Sequence, residues 1–164
     1  MGLELVQAKG HVALSVRHVA AALGLAHRSL YNHFADREAF LDAIAERGFT
    51  DFGESLKSCR APADYVRTYV EFALRNPQLY DLLRSRPHAT MKEKPSLQAA
   101  VHIGLTEALR LFSKPGRNSD ENRRAVMKVL ILLHGGIAMH RSGILDVADD
   151  AALVAELQAM IDPD

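Results

Sequence analysis

The polar and aromatic side chains between residues 27 and 33 have types and a spacing suited to reading DNA. Arg28 and Asn32 lie four residues apart, so a helix would place them on one face. Arginine can bond the edge of guanine in a bidentate manner, and asparagine can bond the edge of adenine in the same way. The hydroxyl group of Tyr31 can donate to a backbone phosphate. These residues therefore predict a helix that contacts base edges in the major groove.

Two short helices with a turn between them are predicted to position these side chains. Ser15 is a predicted N-cap, and apolar residues after it recur at the spacing of one helical face. Gly24 predicts the turn, and Leu30 and Phe34 predict the buried side of the second helix. This arrangement is typical of a helix-turn-helix, in which the second helix enters the major groove.

The predicted DNA-reading segment is basic, although the whole chain has a formal net charge of zero. Between residues 15 and 37 the chain carries Arg17, Arg28 and Arg37, with Asp36 as the acidic residue. The neutral total excludes a protein that coats nucleic acid by bulk attraction. A protein that reads DNA with a small basic surface remains compatible with it.

The rest of the chain predicts an all-α body, because amphipathic helical patterns follow one another without strand patterns. Asp36 is a predicted cap for a helix from Arg37 to about Leu56, which Pro62 and the two residues before it would end. The further predicted helices cover residues 62–75, 78–84, 95–112, 119–142 and 149–160, with residues 85–94 as a polar connection.

The predicted helices divide into two domains. Residues 1–48 would form a three-helix domain that contains the helix-turn-helix, and its first helix is expected to be truncated to its last turns. Residues 49–164 would form a helical bundle for ligand binding and dimerisation.

Two adjacent glycines, Gly135 and Gly136, lie inside the most apolar predicted helix. Each costs about 1 kcal/mol relative to alanine in a helix, so a close helix–helix approach is predicted to offset them. Residues 129–139 are apolar almost all round, which predicts burial on more than one side. Together with the last helix they predict a four-helix dimer interface, and ordinary burial within one subunit is the alternative. The predicted interface residues are Gly135, Gly136, Met139, Leu153, Leu157 and Met160.

A small-molecule pocket is predicted among the C-terminal helices, where apolar walls meet a few polar groups. His134 lies in an apolar helix, so it needs a polar partner if it is buried, either a ligand or a backbone carbonyl. Core packing is the alternative for each candidate. The predicted pocket residues are Tyr69, Phe72, Tyr80, Met91, His102, Thr106, Met127, Leu130 and His134.

Residues 14–41, LSVRHVAAALGLAHRSLYNHFADREAFL, resemble the DNA-binding domain of the TetR/AcrR family of bacterial transcriptional regulators. The resemblance rests on the LSVR start, the glycine turn, the LYNHF sequence at residues 30–34 and the DREAFL sequence at residues 36–41. Residues 76–80 (NPQLY) and 134–136 (HGG) are also similar to a Trp-His-Gly-type TetR C-terminal domain, with Leu133 at the position of the tryptophan.

The resemblance implies a homodimeric, ligand-responsive regulator, a repressor of transcription, that binds a palindromic operator in double-stranded DNA. It implies a TetR-like fold and a recognition helix over residues 27–33, with an unidentified small-molecule effector and no cofactor. The DNA-binding residues that it implies are Ser15, Arg17, His27, Arg28, Ser29, Tyr31, Asn32, His33 and Arg37.

No catalytic or metal-binding motif is found in the sequence. Glu-x-x-His repeats, histidine pairs four residues apart, a Gly-x-Ser-x-Gly elbow, a P-loop and a Gly-x-Gly-x-x-Gly loop are all missing. Cys59 is the single cysteine, which excludes an internal disulfide framework. With no signal-peptide or membrane-span pattern, a cytoplasmic protein that is not an enzyme is expected. The alternative, suggested by the short first helix, is a helical small-molecule-binding or interaction protein that no longer binds DNA.

Overall fold

A computed structural model describes residues 2–12, 15–22, 24, 32–87, 91 and 93–161 of the 164-residue chain. The helices within these ranges are α1 (Gly2–Lys9), α2 (Val16–Ala22), α3 (Arg37–Leu56), α4 (Pro62–Arg75), α5 (Pro77–Ser85), α6 (Pro95–Phe112), α7 (Ser119–Arg141) and α8 (Asp150–Ile161). The described residues contain no strand, so the prediction of an all-α fold is confirmed. None of the helices in these ranges has the length and apolar character needed to cross a membrane.

The chain packs as two compact units. Unit 1 comprises Met1–Phe52 and Asn76–His102, and unit 2 comprises Gly53–Arg75 and Ile103–Asp164. Unit 1 thus combines the N-terminal segment with residues that come much later in the sequence. Two of the three divisions fall inside helices, α3 and α6, and the third falls between α4 and α5. The predicted domain boundary between residues 48 and 49 does not coincide with this division and stays a prediction.

In unit 1, α1 packs against α5 and ends at a glycine that the structure requires. Gly10 has a φ of +70°, and its amide donates to the carbonyl of Val6 over 2.8 Å. A Cβ atom at this position would lie 2.6 Å from Oε1 of Gln78 on α5. Backbone conformation and lack of space therefore both favour glycine, which agrees with the predicted helix end.

Helix α3 begins where the sequence predicts. The side chain of Asp36 accepts a hydrogen bond from the amide of Ala39 over 2.8 Å, which satisfies one of the free donors of the first turn. Phe40, Leu41 and Ile44 are buried, and Phe52 is half-buried.

In unit 2, α4, α7 and α8 pack against one another around fully buried side chains that include Tyr65, Leu133 and Leu153. Helix α7 begins at Ser119, as predicted, and Asn118 is its N-cap. Asn118 accepts from the amide of Glu121 over 3.0 Å, and the Glu121 carboxylate accepts from the amide of Asn118 over 2.7 Å. These reciprocal bonds form a capping box and fix the start of the helix.

Part of the predicted polar connection between α5 and α6 is buried. Arg86 and Met91 are both buried within unit 1, at 6% and 4% exposure. The amine of Lys94 forms an ion pair with Asp42 on α3, so the connection also contacts a part of the chain that is distant in the sequence.

Candidate DNA-binding surface and ligand pocket

The structure describes five of the nine predicted DNA-binding residues. Ser15 is half-buried immediately before α2, and Arg17 is exposed on that helix. Asn32 and His33 are exposed in a turn that precedes α3, so the prediction of a recognition helix over residues 27–33 is wrong for these two positions. The exposed side chains of Arg17, Asn32 and His33 are accessible to a partner such as DNA. The other four predicted contacts, His27, Arg28, Ser29 and Tyr31, lie outside the described residues.

Arg37 has contacts within unit 1. Its Nη2 donates to the backbone carbonyl of His11 over 2.5 Å, and its Nη1 pairs with Glu38 over 2.7 Å. These contacts tie the first turn of α3 to the turn that follows α1. Arg37 therefore stabilises unit 1 through contacts within the chain. This role was not predicted from the sequence, which indicated DNA binding for Arg37.

A buried arginine next to these residues was also missed. Nη1 of Arg86 lies 2.9 Å from Oε2 of Glu38 and 3.2 Å from Oδ1 of Asp42, and Asp42 also pairs with Lys94. Glu38 and Asp42 are four residues apart on α3, so they lie on one face and would repel each other without a cation. From that spacing a nearby cation could have been predicted, but not that Arg86 supplies it.

His11 lies close to the same group of charges. Within the described residues its Nδ1 atom is buried without a hydrogen-bond partner. Burial lowers the pKa of His11 most strongly, and the positive charges of Arg86 and Arg37 lower it further, while Asp81 and Glu38 oppose the shift. The neutral form of this imidazole is therefore favoured in the folded protein.

The nine predicted pocket residues do not form one group. In unit 2, the hydroxyl of Tyr69 lies 3.2 Å from Nε2 of His134, with the two rings edge to face at 5.8 Å. This contact supplies the polar partner expected for His134. Phe72 and Leu130 are half-buried in the same unit, while Thr106 and Met127 are exposed. Tyr80 and Met91 are buried in unit 1, where His102 is exposed.

Three of the nine predicted pocket residues are exposed, which corrects part of the pocket prediction. His102, Thr106 and Met127 lie on outward faces of their helices, so their side chains meet solvent instead of lining an interior cavity. The spacing of apolar and polar residues did not distinguish these faces, because helices α6 and α7 carry apolar residues on several sides. Tyr69 and His134 remain the predicted pair that the structure brings together.

The predicted dimer residues fall into a buried and an exposed set. Leu153 and Leu157 have no exposed surface, and a Cβ atom on Gly136 would lie 2.3 Å from Cδ2 of Leu157. The close approach expected at Gly136 therefore occurs between α7 and α8 of one chain, and these three residues have no surface left for a partner. Gly135, Met139 and Met160 are exposed.

Residues 129–139 are also less enclosed than predicted. Leu133 and Ile137 are fully buried, but Ile131 is 65% exposed. The all-round apolar pattern of this stretch thus reflects one side buried within the subunit and one apolar side that is open.

No group of three or more His, Cys, Asp or Glu side chains suited to a metal ion occurs among the residues that the structure describes.

Helix α4 carries Tyr65, whose pKa is raised, mainly by burial and also by the nearby Cys59 and Glu107. This buried phenol forms an edge-to-face contact with Phe112 at 5.5 Å, and it belongs to the core of unit 2.

Comparison with known proteins agrees with this arrangement at both ends of the chain. Residues 2–44 match the family described as bacterial regulatory proteins, tetR family. Residues 63–162, more than half of the chain, match the family described as Tetracyclin repressor-like, C-terminal domain. No curated protein matches the sequence.

Two solved structures share the fold. A protein with unknown function from Rhodococcus sp. RHA1 superposes with a TM-score of 0.70 at 23% identity, over 98% of this chain and 94% of that chain. The TetR family transcriptional regulator PfmR from Thermus thermophilus superposes with a TM-score of 0.50 at 20% identity, over 97% and 93% of the two chains. The two family matches and the all-α architecture lead to one conclusion: this chain belongs to the TetR family of bacterial regulatory proteins, which are helix-turn-helix transcriptional regulators.

Proposed function

We propose that this protein is a ligand-responsive transcriptional repressor that acts in the cytoplasm and binds a palindromic operator as a homodimer. The observation that carries the proposal is the pairing of the two family matches in one chain, residues 2–44 and residues 63–162. In this proposal the recognition helix lies within residues 27–31, and the exposed side chains of Asn32 and His33, in the turn before α3, extend the DNA-reading surface.

An apolar stripe on α7 supports the dimer. Met127, Ile131, Gly135 and Met139 follow one another at intervals of four residues, so they lie along one side of the helix, and all four are exposed. Met160 adds an exposed apolar side chain from α8. Contiguous exposed apolar surface typically marks a protein–protein contact. A second copy of the same stripe would bury it through a two-fold symmetric interface.

The contact between Tyr69 and His134 supports the response to a ligand. Phe72 lies three residues after Tyr69 on α4, and Leu130 lies four residues before His134 on α7, so helical spacing places each on the same side of its helix as the polar group; both are half-buried. Apolar walls with a few polar groups are typical of small-molecule sites. An effector that binds one conformation of the dimer better than another would shift the spacing of the two recognition helices and so change DNA affinity.

Selection of bound DNA from a random double-stranded pool tests the proposal. The native chain is expected to enrich a palindrome whose half-sites lie about one helical turn, roughly 34–36 Å, apart. Ile131→Glu places a charge in the apolar stripe and is expected to give a monomer by light scattering that loses the palindrome. Ile144→Glu is the matched control, because Ile144 is exposed to a similar degree, 70%, in the turn after α7 and outside the stripe.

Failure of this experiment has two distinct forms. A native chain that is monomeric would overturn the homodimer. A native chain that is dimeric and folded but enriches no sequence would overturn DNA binding. That second result would favour the alternative of a helical small-molecule-binding or interaction protein.

A further inference from the structure

Unit 2 contains an open cleft of about 140 Å³ that none of the nine predicted pocket residues lines. Its walls come from the end of α6, from α7 and from the end of α8. Val129 is buried, while the other apolar wall residues keep part of their surface exposed; these are Pro62, Leu111, Phe112, Ala125, Leu132 and Ile161. The cleft therefore leaves apolar surface accessible to a small molecule.

Three cations line the same cleft. Lys114, Arg117 and Lys128 are exposed lining residues, and no carboxylate belongs to the lining. Across the part of the chain that the structure describes, the side chains of these three residues form no hydrogen bond or ion pair. Among the described residues none of these charges is paired with a carboxylate, and they lie at the edge of an apolar surface, which favours an anion with an apolar body.

The loop that carries two of these cations is a tight turn. The amide of Arg117 donates to the carbonyl of Lys114 over 3.3 Å, and Gly116 has a φ of +86°. With Pro115 before the glycine, this is the pattern of a type II turn, whose first and last α-carbons lie less than about 7 Å apart. Lys114 and Arg117 are therefore held close together despite their like charges.

Asn122 fixes this turn from α7. Its Oδ1 accepts from the amide of Lys114 over 3.1 Å, and its Nδ2 donates to the carbonyl of Arg117 over 3.4 Å. The adjacent wall is fixed as well, because the Phe112 ring packs edge to face against the fully buried Tyr65. The backbone that carries Lys114 and Arg117 and the ring of Phe112 are thus both held by contacts within unit 2.

We propose that this cleft binds an amphipathic anion, specifically a short alkyl carboxylate. The alkyl chain covers Leu111, Phe112 and Leu132, and the carboxylate contacts Lys114 and Arg117. A guanidinium group can bind both oxygens of a carboxylate, which makes Arg117 the stronger of the two contacts. The site is separate from DNA reading, so its test does not depend on operator binding.

Calorimetric titration of the full chain with hexanoate, 1-hexanol and hexylamine tests the charge requirement. The three probes share an alkyl chain and differ in the head group. Hexanoate is expected to bind saturably, 1-hexanol to bind about tenfold or more weakly because it lacks the charge-assisted hydrogen bonds, and hexylamine not to bind. Equal affinity for hexanoate and 1-hexanol, or no binding of hexanoate, would overturn the proposal.

Paired charge variants locate the site. Lys114→Gln with Arg117→Gln is expected to weaken hexanoate binding by about tenfold or more. The control is Lys57→Gln with Arg67→Gln, which removes the same charge from exposed residues of unit 2 outside the lining. An equal loss in both double variants would show attraction by net charge alone and would overturn the site.

A cleft-filling variant tests the apolar walls. Ala125→Trp introduces a large side chain at a half-buried lining position on α7 and is expected to abolish hexanoate binding while the helical circular dichroism is retained. Binding that persists in this folded variant would contradict the assignment. Asp162 and Asp164 follow Ile161 in the sequence, and hexanoate binding that appears only after both are changed to Asn would identify the chain's own carboxylates as the occupant and would also overturn the proposal.

Discussion

Units 1 and 2 are both helical, and one helix–helix contact from each illustrates a different chemistry. In unit 1 a buried arginine, Arg86, joins two carboxylates on α3. In unit 2, at the contact between α7 and α8, the side chain of Leu157 packs directly against Gly136 and leaves no room for a Cβ atom at that position. The first contact depends on charge and on hydrogen-bond geometry, whereas the second depends on volume.

This difference determines which substitutions each unit tolerates. A buried ion pair that loses one partner leaves the other charge without compensation, so charge removal is costly even when the new side chain fits. A close-packed apolar contact is insensitive to charge at a distance but responds to a single added methyl group. Three tests, in order of decreasing expected effect on stability, show whether the two units follow these separate rules.

Arg86→Met is expected to have the largest effect. The new side chain preserves much of the volume but removes the cation from Glu38 and Asp42, and we expect the free energy of unfolding to fall by about 2–3 kcal/mol. The loss stays below that of a fully enclosed pair because Glu38 is partly exposed and Lys94 still contacts Asp42. Urea denaturation followed by circular dichroism measures the change.

Arg84→Met is the matched control for this variant. Arg84 is exposed two residues earlier and stacks over the ring of Tyr80 at 5.6 Å, a contact worth about 0.5–1 kcal/mol at an exposed site. Equal destabilisation by the two variants would show that the buried ion pairs contribute nothing beyond an ordinary surface contact. The contrast between the units would then be lost.

The adjacent glycines of α7 give the second test. The same substitution, glycine to alanine, is expected to stabilise the protein at one of the two positions and to destabilise it at the other. Alanine at Gly135 meets no atom within 4 Å, so helix propensity should stabilise the protein by about 0.5–1 kcal/mol. Alanine at Gly136 gains the same propensity but places its Cβ against fully buried Leu157, where overpacking costs about 1–3 kcal/mol. Denaturation at one fixed protein concentration measures both variants, since a dimer's stability depends on concentration.

The double variant Gly136→Ala with Leu157→Ala sharpens this result. Truncation of Leu157 removes the methyl groups that the new Cβ would meet, so the two changes should cost less together than the sum of their separate effects. Strict additivity would mean that the volume at this contact is not what limits residue 136.

The helix boundaries were predictable because their causes are local. Asp36 caps α3 through the amide three residues later, and Asn76-Pro77 separates α4 from α5. These signals lie within four residues of the feature that they cause. The start of α7 at Ser119 follows the same rule, because Asn118 caps the helix through the amide of Glu121, three residues later.

The contacts that distinguish the units were not predictable in the same way. Arg86 and Asp42 are 44 residues apart, and no periodic pattern links them. Gly136 correctly indicated a close approach, but the sequence could not tell whether Leu157 of the same chain or a residue of a second copy would fill the space. Tyr69 and His134 were chosen as pocket candidates, and their contact across 65 residues emerged only from the fold.

The smallest expected effect is a difference in pH response between the units. In unit 1 burial and nearby arginines lower the pKa of His11 from its ordinary value of 6.5. Below that value the unfolded chain binds a proton that the folded chain resists, so the free energy of unfolding should fall as the pH drops. In unit 2 burial raises the pKa of Tyr65 above its ordinary value of 10.0. The unfolded phenol ionises first as the pH rises, so stability should fall on the alkaline side.

Variants that remove each group separate the two responses. His11→Asn should flatten the loss of stability below pH 6.5 and leave the alkaline side unchanged, and Tyr65→Phe should do the reverse above pH 10. Urea midpoints measured across the pH range give both slopes. Because Tyr65 is buried among apolar side chains while His11 lies among charges, added salt should reduce the charge-dependent part of the His11 response and leave the Tyr65 response nearly unchanged. An identical salt dependence for both slopes would mean that burial alone sets both shifts, and that the charges around Arg86 do not act on His11.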